Sequence, residues 1–185
     1  MIVATISEGE EESRIELSDR LAALRALAGR RVLLLDGAPR HECARRCERH
    51  SAASGLRIGT RNVHGKAMQG ELENLAQRYQ DIVVDTEGRD SLGSRSALIA
   101  AHVAVLPAEA LHGDPARLAR LAWRIESARL FNPSLRVVIA ACSEHCADAE
   151  SPCGAHVLAG CIPAARLAAG AGFDPGTLYS SVFNT

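Results

Sequence analysis

Short runs of apolar residues alternate with longer segments of helical periodicity along the chain. The runs are rich in Leu, Val and Ile and lack polar alternation, which is typical of strands that are covered on both faces. They predict strands at 2–6, 31–36, 81–85, 103–106, 135–141 and 157–161. Because helical patterns separate these strands, we predict an α/β fold with a mostly parallel, twisted sheet that is flanked by helices on both faces.

The segments between the strands predict six helices. The fifth has the clearest boundaries, because Asp114 is a suitable N-cap, Pro115 suits the first helical position and Asn132-Pro133 ends the pattern. The predicted helices cover 16–27, 40–50, 66–79, 92–101, 115–131 and 164–171. We predict a polar connection at 55–65 and a loop or broken helix at 143–154.

The length of 185 residues predicts a single domain over 1–185, since a globule of this size buries roughly 70% of its unfolded surface. The aromatic content is only 3%, so the core must consist of Leu, Val, Ile and Ala. The net charge of -1 provides no overall attraction to nucleic acid or to an anionic membrane. Binding to either would therefore need a local patch of charge.

The first residues, MIVATISEGEEE, lack the basic start and the apolar run of a signal peptide. No stretch of the sequence has the length and apolar character of a membrane span. We therefore expect a cytoplasmic protein without a membrane span, in which the six cysteines are reduced thiols.

Two carboxylates stand at the carboxyl ends of predicted strands: Asp36 ends RVLLLD and Asp85 ends DIVVD. In a wound parallel sheet this edge forms the ligand-binding crevice, so both side chains are candidates for a functional site. Aspartate also begins turns after strands, and that simpler interpretation is equally open on local grounds.

Four segments resemble, in order and at compatible spacing, segments of the ParA/MinD family of partition and positioning ATPases. RVLLLDGAPR is similar to the family's RVLLIDADPQ, and DIVVDTEGRDS is similar to its D-x-P-G-R-D segment. ARLFNPSLRVVIAAC resembles the family's helix-to-strand passage, and CIPAARLAAGAGFDPGTLY resembles its C-terminal I-x-x-R segment. The resemblance covers nearly the whole chain and implies a P-loop NTPase fold of the ParA/MinD type.

The resemblance also implies roles for individual residues. Asp36 and Asp85 match the catalytic positions, Asp36 orienting the attacking water and Asp85 holding magnesium beside ATP. Gly88 matches a switch glycine near the γ-phosphate. The family further implies a homodimer, a partner protein of the ParB or cargo-adaptor type, and binding to non-specific DNA.

The phosphate-binding loop departs from the family pattern K-G-G-x-G-K-T-T. The aligned segment 9–16 reads GEEESRIE, so Arg14 takes the place of the phosphate-gripping lysine, and Ile15 lacks the hydroxyl that would ligate magnesium. Glu10, Glu11 and Ser13 take the places of the loop glycines, and the acidic side chains repel a triphosphate. We therefore expect impaired or absent ATP hydrolysis, and the sequence leaves open whether the chain is an enzyme.

Two functional hypotheses follow on this fold. The first is a protein of plasmid or chromosome partition, or of intracellular positioning, that works as a nucleotide-linked dimerising switch. The second is an interaction scaffold that needs no nucleotide.

A third hypothesis is a metal-binding protein. Cys43 and Cys47 with His50, and Cys142 with His145 and Cys146, provide thiolate and imidazole ligands that suit zinc. The four-residue spacing differs from the usual Cys-x-x-Cys knuckle, and buried free cysteines are the common alternative.

Arg117, Arg120 and Arg124 recur at helical spacing in the fifth predicted helix. They could contact the phosphate backbone of DNA without sequence preference. The alternative is a solvated helix face, which the near-zero net charge favours.

Overall fold

The computed structural model describes residues 1–9, 11–111, 114–140, 161–163 and 175–184. Seven strands form one sheet in the order β3-β2-β4-β1-β5-β6-β7, and every described pair of neighbouring strands is parallel. The strands are β1 Ile2–Thr5, β2 Val32–Asp36, β3 Ile58–Asn62, β4 Asp81–Asp85, β5 Val103–Pro107, β6 Arg136–Ala140 and β7 Cys161–Pro163. This arrangement confirms the predicted parallel α/β sheet.

Helices cover both faces of the sheet. Buried side chains of α3, α4 and α5 pack on one face, and those of α1, α2 and α6 pack on the other. The helices are α1 Glu11–Leu27, α2 Glu42–Ser54, α3 Ala67–Ala76, α4 Leu92–Ala100, α5 Pro115–Arg129 and α6 Pro175–Phe183. None of the described helices is both long and apolar enough to cross a bilayer.

The central strands are buried because their residues are apolar on both faces. Every residue of β1, β2, β4 and β5 is buried, including the polar residues at their carboxyl ends. The Asp114 side chain accepts a hydrogen bond from the backbone N–H of Ala116 at 2.9 Å, which confirms the predicted N-cap of α5.

The edge strand β3 was not predicted. Its sequence, IGTRN, lies in the segment expected to be a polar connection, and its residues are only half-buried or exposed. An edge strand pairs on one side alone, so its hydrogen bonds to β2 need no apolar run to form. Backbone pairing over five residues, from Val32 with Ile58 to Asp36 with Asn62, therefore defines this strand.

The start of α1 and the position of the last strand also differ from the sequence-based prediction, as do the ends of α2 and α3. Helix α1 begins at Glu11 and not at residue 16, because acidic residues suit the amino terminus of a helix. The last strand covers Cys161–Pro163, later than the predicted 157–161, and α6 follows it at Pro175–Phe183. The helix predicted at 164–171 and the loop predicted at 143–154 lie outside the described residues.

A polar cluster at the amino end of β4 fixes the carboxyl half of α1. Arg25 Nε and Nη2 donate to the two carboxylate oxygens of Asp81 at 2.9 and 3.0 Å, and Arg30 Nε donates to the same carboxylate at 3.0 Å. The Arg25 guanidinium also lies over the ring of Phe183, 4.4 Å from its centroid. The cluster ties the carboxyl half of α1 to β4 and α6.

Candidate functional site

Asp36 and Asp85 lie side by side at the carboxyl edge of the sheet. They are register partners on the parallel strands β2 and β4, and Thr5 on β1 is the register partner of Asp85 on the other side. All three residues are fully buried. The structure therefore brings together the two aspartates that the sequence placed at one crevice.

The carboxylate of Asp36 organises the start of α2. Its Oδ1 accepts the backbone N–H of Ala38 and its Oδ2 accepts that of Ala44, both at 2.9 Å. His41 comes directly before α2, has φ of 54° and makes no side-chain capping bond. Asp36, on β2, therefore supplies the hydrogen-bond acceptor that the start of α2 would otherwise lack. Both oxygens of Asp36 are thus used in holding the loop and the first turn of α2.

Asp85 lies in a buried network with two hydroxyl side chains. The Ser18 hydroxyl donates to Asp85 Oδ1 at 2.8 Å, and the Thr5 hydroxyl lies 2.6 Å from Ser18 Oγ. Ser18 reaches this carboxylate because α1 packs directly across β4. Neither hydroxyl was singled out in the sequence, where no motif marks them.

Arg14 forms a buried ion pair with Asp85. Its Nη1 contacts Asp85 Oδ1, and both side chains are 0% exposed. Arg14 and Ser18 are four residues apart on α1, so they present the same helix face to the carboxylate. Within the described part of the chain, Arg14 Nε and Nη2 and Asp85 Oδ2 make no hydrogen bond.

Burial raises the pKa of Asp85 to about 6, although the positive charge of Arg14 opposes the shift. A carboxylate in an apolar interior loses its hydration, and one ion pair with the Ser18 and Thr5 hydroxyls, 2.8 and 3.3 Å from Asp85 Oδ1, restores only part of it.

The loop that follows β1, here called the first loop, contacts the loop that follows β4. The backbone N–H of Gly9 donates to the carbonyl of Gly88 at 3.0 Å, and Gly9 has φ of 93°, a conformation that favours glycine. A Cβ atom added to Gly88 would lie 3.3 Å from Gly9 N, so the two loops are in close backbone contact. Gly88, the predicted switch glycine, therefore lies directly beside the first loop.

Two arginines of α5 contact Glu8, an acidic residue in the loop after β1. Arg124 Nη1 donates to Glu8 Oε1 at 2.6 Å and to the carbonyl of Ser7 at 2.9 Å. Arg120 Nε lies 3.4 Å from the other oxygen of Glu8. Burial lowers the pKa of Arg124, and the hydrogen bond and charge of Glu8 oppose that shift.

Arg124 is only 3% exposed, so it neither lies on a solvated face nor can reach a DNA backbone. Arg117 and Arg120 are exposed, as the solvated-face interpretation predicts. Sequence analysis missed the contact to Glu8. The available signal was that α5 follows β5, which places its amino-terminal half at the same sheet edge as the end of β1.

No family model and no curated protein matches the sequence. Solved structures do match the fold. A plasmid partition protein from Borrelia burgdorferi is similar over 75% of this chain and 77% of its own, with 15% identity and a TM-score of 0.55. The MinC:MinD cell division protein complex of Aquifex aeolicus matches over 75% of this chain and 67% of that chain, with 14% identity and a TM-score of 0.52.

A third similar structure is cobyrinic acid a,c-diamide synthase from Mycobacterium smegmatis with bound ADP and magnesium. It covers 85% of this chain and 79% of its own, with 14% identity and a TM-score of 0.57. The chain has the fold of the ParA/MinD-type P-loop ATPases. At these identities the likeness establishes the fold alone, so the function must be argued from the site.

The residues at the nucleotide position of this ParA/MinD-type fold do not fit a magnesium–triphosphate. Asp85, which the family pattern assigns to magnesium, is already bound by the internal cation Arg14. Ile15 and Glu16, at the positions of the family's threonine pair, have no hydroxyl group to ligate magnesium; Ile15 packs in the core and Glu16 pairs with Arg20. The catalytic and cofactor-binding roles suggested for Asp36, Asp85, Arg14 and Gly88 stay predictions.

The two described cysteines of the zinc hypothesis are core residues of the ParA/MinD-type fold. Cys43 and Cys47 on α2 are 0% exposed. Burial raises the pKa of the Cys43 thiol well above its usual range and that of Cys47 to about 12. With no metal ion beside them, such thiols stay protonated at neutral pH, as buried core cysteines do.

His50 lies 3.0 Å from Asp19 Oδ2, which gives it a structural contact. No group of three or more candidate ligands occurs among the residues that the structure describes. Cys142 and Cys146, the other half of the hypothesis, lie outside those residues.

The raised pKa of Asp85 predicts a pH dependence of folding stability. The folded-state value of about 6 lies above the ordinary 3.8, so the folded protein holds this proton more tightly than the unfolded chain. Stability therefore falls as pH rises from 4 to 7, by about 2 kcal/mol from this group. Urea unfolding at both pH values should show the loss, and Asp85→Asn should remove it. An equal slope in both proteins would contradict the buried position of this carboxylate.

Proposed function

We propose that this protein acts in plasmid or chromosome partition, or in intracellular positioning, without hydrolysing ATP. The similar structures of a plasmid partition protein and of a MinC:MinD complex support the class of process. The observation that supports the loss of hydrolysis is the buried ion pair between Arg14 and Asp85.

This pair opposes catalysis for an electrostatic reason. Phosphoryl transfer in P-loop proteins needs a cation-binding carboxylate, a hydroxyl ligand to magnesium and a lysine that reaches the phosphates. Here the carboxylate and the cationic side chain neutralise each other, and a nucleotide would have to separate them inside the protein. Breaking a buried pair costs about 3–5 kcal/mol, which a phosphate contact would first have to repay.

The first loop adds a second obstacle. Phosphate loops bind through glycine backbone N–H groups that curl around the anion. In this chain the Gly9 N–H is already bonded to Gly88, and the Glu8 carboxylate lies beside it under Arg124. The protein therefore works as an interaction scaffold on this fold, and its partner is of the ParB or cargo-adaptor type.

Thermal unfolding with and without Mg-ATP tests this proposal. We expect the melting temperature to change by less than about 1 °C at millimolar Mg-ATP, because a ligand that does not bind the folded state cannot stabilise it. Phosphate release should equal the background and be the same in Asp85→Asn. Magnesium chloride alone and ADP serve as controls.

The nucleotide-linked switch makes the opposite prediction. A rise of several degrees with Mg-ATP that Asp85→Asn abolishes would overturn the scaffold proposal. Of the three α5 arginines considered for non-specific DNA binding, Arg117 and Arg120 are exposed and Arg124 is buried. A gel-shift assay that compares the wild type with Arg117→Ala and with Arg120→Ala tests separately whether these side chains bind DNA.

A further inference from the structure

The outer face of the α4–α5 pair carries an unusual amount of exposed apolar surface. On α4, Leu92 is 55% and Ile99 is 42% exposed. On and just after α5, Trp123 is 52%, Leu130 is 80% and Phe131 is 74% exposed. We call these five residues the α4–α5 patch. Single exposed apolar residues are normal, but five of this size on neighbouring helices are not.

The patch is continuous across the two helices. Leu92 and Ile99 are seven residues apart, as are Trp123 and Leu130, so each pair lies on one face of its helix. The Arg95 guanidinium of α4 lies 5.5 Å from the centroid of the Trp123 ring on α5.

The carboxyl ends of the two helices are also tied together. Asn132 Nδ2 donates to the carbonyl of Ala101 at 2.7 Å and to that of Leu98 at 3.3 Å. This contact holds Phe131, the preceding residue, next to the end of α4. The two rows of apolar side chains therefore run side by side.

The exposed area of the patch is of the size that a stable interface needs. Scaled by their exposed fractions, the five side chains present roughly 600 Å², the upper end of what monomeric proteins show. A standard interface buries about 800 Å² on each partner, so the patch with its polar surroundings makes one complete side.

The charges around the patch favour a partner with the same mixed charge. Asp90 and Arg95 pair with each other at one end. Glu126 and Arg129, of opposite sign, lie on α5 near Leu130. The surroundings are close to neutral, so they do not attract a polyanion or an anionic lipid surface. A two-fold interface suits this pattern, because it brings two near-neutral apolar surfaces together and needs no charged side chain to leave its present partner.

We propose that the α4–α5 patch binds a second copy of this chain across a two-fold axis. The contact lies on the outer surface of one helix layer and uses none of Arg14, Asp36 and Asp85. It therefore needs no nucleotide and does not depend on the function proposed above.

Sedimentation velocity of the full chain without nucleotide tests the proposal. We expect a concentration-dependent dimer, and we expect Leu130→Glu and Phe131→Glu each to weaken the association at least tenfold. Both positions are largely exposed, so thermal unfolding should confirm that the variants fold. Leu27→Glu is the matched control, because Leu27 is 70% exposed at the end of α1 in the opposite helix layer. This control should dimerise like the wild type.

The single tryptophan provides an independent readout, since Trp123 lies inside the patch. Its emission should shift to shorter wavelength as concentration rises in the wild type and in Leu27→Glu, but not in Leu130→Glu. A monomer at all concentrations, or a dimer that Leu130→Glu leaves intact, would overturn the proposal. Monomeric protein that binds anionic vesicles through Leu130 would also overturn it, because the occupant would then be a membrane. None of these outcomes bears on ATP hydrolysis, so the two proposals fail separately.

Discussion

Arg14→Met is expected to lower the free energy of unfolding by about 3–5 kcal/mol at pH 7.5, the cost of leaving one member of a buried ion pair without its partner. The substitution keeps most of the side-chain volume, so the loss of charge dominates over the loss of packing. The loss should be smaller at pH 5, because the Asp85 carboxyl, whose pKa burial raises to about 6 even beside Arg14, can then take a proton. Urea unfolding at the two pH values measures both effects.

Arg20→Met is the matched control for this substitution. Arg20 lies on the same helix and pairs with Glu16, but its side chain is 33% exposed. Exposed pairs of this kind contribute less than about 1 kcal/mol. If Arg14→Met were as mild as Arg20→Met, the guanidinium would not be buried against Asp85, and the proposal that the protein does not hydrolyse ATP would lose its main support.

Asp36→Ala has the second largest expected effect, a loss of about 2–4 kcal/mol, because it leaves two buried backbone N–H groups without an acceptor. Those groups belong to Ala38 and Ala44, at the start of α2. Urea unfolding gives the loss, and hydrogen exchange gives its location. We expect exchange at these two amides to be faster than in the wild type, with a smaller change in the middle of α2.

Asp90→Ala is the control for Asp36→Ala. Asp90 is partly exposed and pairs with the exposed Arg95, so its removal should cost less than about 1 kcal/mol. Unchanged stability and unchanged exchange in Asp36→Ala would mean that the carboxylate does not cap α2. The predicted role of this residue in catalysis would then be the better explanation of its position.

The elements that the sequence predicted correctly are those in which local pattern and tertiary burial agree. Strand β4 was predicted with its observed limits, because DIVVD is a short apolar run between polar residues. The start of α5 was also predicted, since Asp114 caps the helix with its own side chain. Strand β3 was missed because its structure depends on pairing with β2 and leaves little trace in its own residues.

The candidate site was predicted only in part. Topology alone brings Asp36 and Asp85 together, since both end parallel strands. Their actual partners could not be predicted, because these contacts join side chains that are distant in sequence. Arg124 and Glu8, for instance, are 116 positions apart. The Arg14 contact further requires α1 to begin early enough to carry Arg14 inward, which the prediction of a helix from residue 16 excluded.

Arg14 and Asp85 bind each other at the position that the family resemblance assigns to magnesium and phosphate. A double-mutant cycle with Arg14→Met and Asp85→Asn at pH 7.5 measures this interaction directly. We predict a coupling free energy of about 2–3 kcal/mol, in the range of side chains in direct contact. Additive effects of the two substitutions, within about 0.5 kcal/mol, would contradict the claim.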